Sequence, residues 1–153
     1  MKNNKTTATL LGFGLLVATL SMARAGDLPP PGSKSLSTIL QAVDAHSLGV
    51  ITSMEFDDGW WEVKVCKGDT CQKLYIDPKS GEEKRRKNTV MDDDELPPAN
   101  AKSVATIVQW IEGRVQGTIT EVEFDDGSWE IKLRHGGRKI KLDVNPLNGD
   151  IKR

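Results

Sequence analysis

The sequence predicts an α+β fold of two tandem repeats, each an N-terminal helix packed on an antiparallel β-meander of three to four strands. The first observation is internal repetition: residues 27–85 align with residues 95–153 without a gap, and about 26 of about 59 positions are identical. The second is a change of period within each copy, where apolar residues recur every three or four positions and then every second position. We therefore assign residues shared by both copies to the fold, and regard residues that differ as free to serve a function.

Each repeat is predicted to open with an amphipathic helix. Ser35 and Ser103 precede the helices and can act as N-caps, because a serine hydroxyl accepts a hydrogen bond from a free backbone N–H. Gly49 and Gly117 follow the apolar stripes and are predicted to end the helices in the left-handed conformation. The apolar positions are Leu36, Ile39, Leu40 and Val43 in the first repeat, and Val104, Ile107, Val108, Ile111 and Val115 in the second.

Three strands with one apolar face are predicted after each helix. The first hairpin has Asp58-Gly59 in one repeat and Asp126-Gly127 in the other, and both pairs suit a tight turn that needs positive φ. Alternation places the following residues on the apolar face: Thr52, Met54, Phe56, Trp61, Val63, Val65, Leu74 and Ile76 in the first repeat, and Val122, Phe124, Trp129, Ile131, Leu133, Ile140, Leu142 and Val144 in the second. This face would bury the apolar stripe of the helix.

A short fourth strand is predicted after a Pro-x-x-Gly turn, ending near Arg85 in the first repeat and near Arg153 in the second. The charged residues 86–94 are interpreted as a linker between repeat 1, residues 27–85, and repeat 2, residues 95–153. A unit of about 59 residues buries little apolar surface alone, so we expect the repeats to pack together or to form a continuous sheet. The sequence leaves both arrangements open.

Residues 1–25 have the features of a cleaved signal peptide. Lys2 and Lys5 precede an apolar run at residues 8–20, and residues 23–25 (Ala-Arg-Ala) offer small side chains for cleavage. The run is shorter than the roughly 20 residues that span a bilayer, so we expect no membrane span after cleavage and a periplasmic or secreted protein. Cleavage changes the formal net charge from −1 to about −4, which argues against nucleic acid as a partner.

Cys66 and Cys71 are predicted to form a disulfide across a hairpin. A two-residue turn at residues 68–69 would place the two cysteines opposite each other as a non-hydrogen-bonded pair, close enough to bridge. An exported protein meets an oxidising compartment, which keeps such a pair closed. The second repeat has Arg134 and Lys139 at these positions, so the fold does not require the bridge. A redox-active pair is the alternative, although the Cys-x-x-Cys spacing of oxidoreductases is absent.

The sequence offers no catalytic, cofactor-binding or metal-binding constellation. His46 and His135 occupy different positions in the two repeats, and no nucleophile stands beside an evident base. We therefore expect that the protein is not an enzyme.

Three stretches of the second repeat resemble the PepSY domain, and the first repeat matches them. They are residues 119–127 (Ile-Thr-Glu-Val-Glu-Phe-Asp-Asp-Gly), residues 129–133 (Trp-Glu-Ile-Lys-Leu) and the Asn-Pro-x-x-Gly-Asp turn at residues 145–150. The resemblance covers nearly all of the chain after the signal peptide. It implies a small exported module of the kind found in propeptides of thermolysin-type metalloproteases and in cell-envelope proteins, with a protein-binding or protease-inhibitory role and no catalytic residues.

We expect a non-catalytic periplasmic protein-binding module whose partner is another envelope protein, with inhibition or regulation of an envelope protease as its specific form. Trp60 motivates this, because the second repeat has Ser128 at the same hairpin position and a tip Trp is a typical interface anchor. The candidate partner-binding residues are Trp60, Asp57, Asp58, Asp125 and Asp126. The alternative is sensing of a cation or small ligand in the envelope by the paired aspartates, which equally suit turn chemistry. Trp110, which corresponds to Ala42 in the alignment of the repeats, is expected to pack between the repeats.

Overall fold

The computed structural model describes residues 28–91 and 96–152. The predicted signal peptide, the first residue of each predicted repeat, the whole acidic run at residues 92–95 and Arg153 lie outside these residues. The elements in chain order are α1 (Leu36–Ala45), β1 (Val50–Asp57), β2 (Trp60–Lys67), β3 (Thr70–Ile76), β4 (Glu83–Val90), α2 (Val104–Arg114), β5 (Thr118–Asp125), β6 (Ser128–His135) and β7 (Arg138–Val144).

All seven strands form one antiparallel sheet with the order β4-β3-β2-β1-β5-β6-β7. The two repeats join where β1 pairs with β5, and Met54 lies opposite Val122 at this junction. These two residues occupy equivalent positions in the repeats, so a pseudo-two-fold axis passes between them. Of the two arrangements that the sequence left open, the continuous sheet is the one that forms.

Both helices contribute to one core that spans the two repeats, and α1 packs against α2. The N-caps are as predicted, since the Ser35 hydroxyl accepts from the Thr38 N–H and the Ser103 hydroxyl accepts from the Thr106 N–H. The helices are also joined by a hydrogen bond from the Ser37 hydroxyl to the Glu112 carboxylate. The largest fully buried side chains include Trp61, Trp129, Ile39, Leu40, Met54, Leu74, Ile107, Ile111, Ile131 and Leu133.

The two helix-ending glycines differ from their prediction. In the first repeat α1 ends at Ala45, and the left-handed residue is Ser47, with φ of 51°. Gly49 and Gly117 have φ of 146° and 141°, far from the left-handed helical conformation. A Cβ on Gly49 would lie within van der Waals overlap of the Cys66 carbonyl oxygen, so glycine is required because the chain passes close to β2 there.

Thr52 also departs from its predicted place on the apolar face. The register between β1 and β2 shifts between Ile51 and Ser53, so Thr52 is the extra residue of a β-bulge. The bulge brings the Thr52 hydroxyl 3.8 Å from the Cys66 sulfur. Simple alternation cannot anticipate a bulge, because one inserted residue changes which face the preceding positions occupy. β5 has the corresponding shift around Thr120.

β4 is longer than predicted and includes part of the predicted linker. It pairs with β3 from Glu83 to Val90, so residues 86–90 belong to the sheet rather than to a connection. The sequence hides this strand because an edge strand is solvated along one side and can carry charged side chains on both faces. In the second repeat the described part of the corresponding segment pairs Ile151 with Val144, and the Lys152 N–H donates to the Asp143 carbonyl oxygen.

Within the described residues, no helix is both long enough and apolar enough to cross a membrane.

Candidate binding surface

Within residues 28–91 and 96–152, the sheet face opposite the helices is open and carries charged side chains. Alternate residues of β2 and β6 point to it, and neighbouring strands supply their ion-pair partners. Lys73 Nζ lies 2.6 Å from the Glu62 carboxylate, and Lys132 Nζ lies 2.8 Å from the Glu121 carboxylate. Such partly exposed pairs contribute little to stability.

Carboxylates of like charge face each other at the centre of this open face. Glu55 on β1 lies directly opposite Glu121 on β5, where the two repeats join. Burial raises the pKa of the Glu55 carboxyl above its ordinary value, and the neighbouring carboxylates of Glu121, Asp57 and Glu62 raise it further, against the effect of Lys73. Burial also raises the pKa of Glu123, with Glu121 as the next cause. The junction between the repeats is therefore an acidic seam, consisting of Glu55, Glu121 and Glu123.

The paired aspartates lie at opposite ends of the sheet. Asp58 and Asp126 both have φ of 46°, as the predicted tight hairpins require. Because β1 and β5 are antiparallel, the register places Asp57 and Asp125 about six residues apart along the seam, or roughly 20 Å at 3.3 Å per residue. The structure therefore does not bring the two pairs together. No group of three or more His, Cys, Asp or Glu side chains suited to a metal ion occurs in the described part of the chain.

Trp60 begins β2 at the tip of the first hairpin, opposite Asp57. Its side chain is only partly buried, and it lies on the open face because its neighbour Trp61 points into the core. At the equivalent position Ser128 is buried, and its hydroxyl donates to the Asp125 carbonyl oxygen at 3.4 Å. The fold thus accepts a small residue at this position, and Trp60 adds a large aromatic surface beside the Asp57-Asp58 turn.

The predicted disulfide is present in the predicted register. Cys66 lies opposite Cys71, with Lys67 opposite Thr70, and the two cysteine Cα atoms are 4.0 Å apart. The cysteines are buried on the open face, outside the main core. Tyr75 is buried on the same face, with the Arg85 guanidinium 3.8 Å from its ring centre. Sequence analysis did not identify this group, because alternation places Tyr75 on the polar face of the strand and does not show that a neighbouring strand covers it.

The comparisons with known proteins agree with the internal repetition. The family of peptidase propeptide and YPEB domains, abbreviated PepSY, matches the chain twice, at residues 7–87 and 91–153. The chain is a tandem PepSY protein. PepSY domains are extracytoplasmic and generally serve as non-catalytic regulatory modules.

The other comparisons add little. No curated protein sequence matches the chain. Among solved structures, a crystal structure of a candidate lipoprotein from Clostridium difficile 630 is similar over 87% of this chain and 95% of that one. It is 14% identical to this chain, and the TM-score is 0.47.

Both PepSY repeats have a cleft where one repeat meets the other, of about 300 Å³ beside Trp61 and about 410 Å³ beside Trp129. Each cleft lies between the Pro-Pro segment and helix start of one repeat and the first strand of the other. The indole N–H of each Trp is buried without an acceptor in the described residues. Glu112 lines the first cleft and Asp44 the second, and burial raises the pKa of Asp44. Because an equivalent cleft occurs in each repeat, the two clefts result from the way in which the repeats join.

Trp110, which was expected to pack between the repeats, contacts the turn of its own repeat. A Cβ built on Gly149 would overlap the Trp110 ring, so the indole lies on the Pro-x-x-Gly turn of its own repeat. Arg114 lies one helical turn further along, 5.8 Å from the centre of the indole. In the first repeat Gly81 instead meets the Lys34 side chain. Trp110 is thus part of the fold of repeat 2, which leaves Trp60 as the aromatic difference at the open face.

Proposed function

We propose that this tandem PepSY protein is a non-catalytic periplasmic protein-binding module that regulates or inhibits an envelope protease. Its binding surface is the open sheet face and the hairpin tip formed by Asp57, Asp58 and Trp60. An aromatic residue next to charged residues is a typical composition for a protein interface.

The observation that carries this proposal is the position of Trp60. It is a partly exposed indole at a hairpin tip, on the face opposite the helices, where the equivalent Ser128 is buried. Truncating a Trp that is a hot spot of an interface costs about 2 kcal/mol or more of binding free energy. Asp57 lies opposite Trp60 in the strand register and Asp58 is in the adjoining turn, so the preferred partner surface combines an apolar pocket with basic groups. Asp125 and Asp126 form a second acidic tip at the far end of the sheet, where a large partner contacts them as well.

The test uses residues 26–153 with the disulfide formed as bait on a periplasmic extract, with identification of retained proteins by mass spectrometry. A protease retained by the wild type and lost with Trp60→Ser is the expected result, followed by inhibition kinetics on that protease. Trp60→Ser introduces the residue of the other repeat, so we expect thermal stability to change by no more than about 0.5 kcal/mol. Equal loss of stability and of partner would show that Trp60 acts through the fold instead.

Trp110→Ala is the matched control, because it also introduces the residue of the other repeat. Trp110 packs on its own turn on the helix side, so its removal is expected to lower stability while the partner is still retained. A blank capture with the wild type, repeated after cross-linking, would overturn the protein-binding proposal and leave cation or small-ligand sensing. Calorimetry with calcium, magnesium and zinc would then test that alternative.

A further inference from the structure

A pocket of about 290 Å³ lies where β1 of the first repeat meets the sheet of the second repeat. It extends over four adjacent strands, β1, β5, β6 and β7, and most of its lining residues are charged residues of the open face. Its volume is close to the lower limit for small-ligand sites in proteins. The pocket therefore has room for one small group.

The first repeat fills the corresponding place with its disulfide. Cys66 and Cys71 occupy the positions of Arg134 and Lys139, and both cysteines are 1% exposed. Thr52 is buried beside them, with its hydroxyl oxygen 3.8 Å from the Cys66 sulfur. In the second repeat the same two positions carry long charged side chains that are at least partly exposed. The fold thus does not require this pocket, and residues that differ between the repeats form it.

The β6–β7 side of the pocket has an excess of positive charge. Its lining includes four basic residues: Lys132, Arg134, Lys139 and Lys141. Two carboxylates neutralise part of this charge, because Glu121 lies 2.8 Å from Lys132 Nζ and Glu130 lies 2.5 Å from Lys141 Nζ. The four cations therefore outnumber the two carboxylates that pair with them, and this side attracts an anionic group.

The β1 side of the pocket has an excess of negative charge. Glu55 and Asp57 line this side. Burial raises the pKa of the Glu55 carboxyl, and the neighbouring carboxylates, Glu121 first, raise it further, against the effect of Lys73. A cationic group placed in the pocket would reduce the repulsion between these carboxylates.

The two charged sides are too far apart to be served by a single ion. β5 and β6 lie between β1 and β7, so the backbones at Asp57 and Lys139 are three strand spacings apart, or roughly 14 Å. A ligand that fits both sides carries a cation and an anion separated by an apolar stem. A lysine or arginine residue with a free carboxylate has this form, because its methylene groups separate the two charges.

We propose that this pocket binds a lysine or arginine residue that has a free carboxylate group. The cation of the ligand lies against Glu55 and Asp57, and its carboxylate lies against the basic side at Lys139. The same chemistry occurs in a free basic amino acid and at the C-terminus of a protein. The inference goes beyond the proposed function, because a ligand from either source would occupy the pocket without contacting Trp60.

The test is an NMR titration of the mature protein, residues 26–153 with the disulfide formed, with N-acetylated Ala-Ala-Lys. We expect the backbone amide signals of Glu55, Thr120 and Lys139 to shift and to saturate at millimolar peptide. Two control peptides each lack one charge: the C-terminal amide of the same peptide, and N-acetylated Ala-Ala-Ala. Each should bind about threefold or more weakly. No shift with Ala-Ala-Lys, or equal affinity for all three peptides, would overturn the inference.

Titration with free L-lysine distinguishes the two sources of the ligand. Binding of free lysine at least as tight as that of the peptide would support the pocket as an amino acid site. Tighter binding of the peptide would support it as a site for protein C-termini.

Three variants separate the pocket from general effects of charge. Glu55→Gln should weaken binding of Ala-Ala-Lys by about threefold or more. Glu123→Gln is the matched control, because Glu123 is the equivalent residue of the second repeat and lies outside the lining. Lys139→Gln should remove the preference for the free carboxylate over the amide. Equal effects of Glu55→Gln and Glu123→Gln would overturn the inference. A partner lost with Trp60→Ser, in a protein that binds none of these peptides, contradicts only the pocket inference.

Discussion

At the residue scale, equivalent positions of the two repeats show how one side chain determines whether a neighbouring glycine can be replaced by a larger residue. Gly81 and Gly149 close the same Pro-x-x-Gly turn, with φ of 73° and 74°. A Cβ added by substitution would meet different surroundings at the two positions. At Gly81 it would lie 3.0 Å from Cδ of the flexible Lys34 side chain. At Gly149 it would overlap the rigid Trp110 ring. The backbone strain is the same at both positions, and the packing is not.

We therefore expect Gly149→Ala to be more destabilising than Gly81→Ala. Both substitutions place an alanine at positive φ, which lowers the free energy of unfolding by about 1 kcal/mol. Gly149→Ala should lower the free energy of unfolding by at least about 1 kcal/mol more, because the indole must move. Urea denaturation of the two variants measures the difference. In the double variant with Trp110→Ala the additional cost of Gly149→Ala should disappear, and equal costs of the two single variants would contradict this account.

At the element scale, the β2–β3 hairpin carries a disulfide that its counterpart β6–β7 lacks. Both hairpins have the same register, since Cys66 opposite Cys71 corresponds to Arg134 opposite Lys139. The hairpin therefore forms without the bridge. The bridge stabilises the native state mainly by restricting the unfolded chain, and its short loop limits this effect.

Reduction is expected to weaken the protein without unfolding it. The cysteines are five residues apart, and a loop of that length corresponds to about 2 kcal/mol of stability. Urea denaturation with and without reductant measures the change, and Cys66→Ala with Cys71→Ala serves as the reductant-insensitive control. Complete unfolding on reduction would show that the first repeat, unlike the second, depends on the bridge.

At the scale of the whole molecule, the acidic seam joins the two repeats at an electrostatic cost. Glu55 and Glu121 face each other across the only strand pair between the repeats in the described chain. The pKa of Glu55 is raised in the folded state, so folding favours the protonated carboxyl. Its contribution to stability is fully present below the ordinary pKa of 4.5 and is lost as the pH rises through the higher folded value.

Glu55→Gln should thus increase stability at pH 7, by only a few tenths of a kcal/mol, because the partly desolvated carboxyl keeps much of its contact with solvent and a like-charge pair across strands has a small cost. The gain should disappear below about pH 4. Glu83→Gln is the control of opposite sign, because its hydrogen bond with Arg86 lowers the pKa of Glu83. That variant should lose stability at pH 7 and not at low pH. Urea denaturation at both pH values measures the free energy of unfolding of each variant. A lower free energy of unfolding for Glu55→Gln at pH 7 would contradict the inference that the acidic seam destabilises the folded protein.

The sequence by itself determined the local features of the fold. The repeat, the two amphipathic helices with their serine caps, the register of the disulfide hairpin and the PepSY resemblance all depend on residues that are close in the chain. Periodicity and turn chemistry act over a few residues, so one sequence is enough to infer them. Asp58-Gly59, for example, specifies its turn without reference to the rest of the molecule.

Only the tertiary structure decided which edges join and what covers them. The pairing of β1 with β5, the extension of β4 to Val90 and the packing of Trp110 on Gly149 depend on residues distant in the sequence. Several strand edges offer the same backbone hydrogen-bonding groups, so local pattern cannot choose among them. The choice is made by burial of a common core beneath both helices, and this choice placed Glu55 against Glu121.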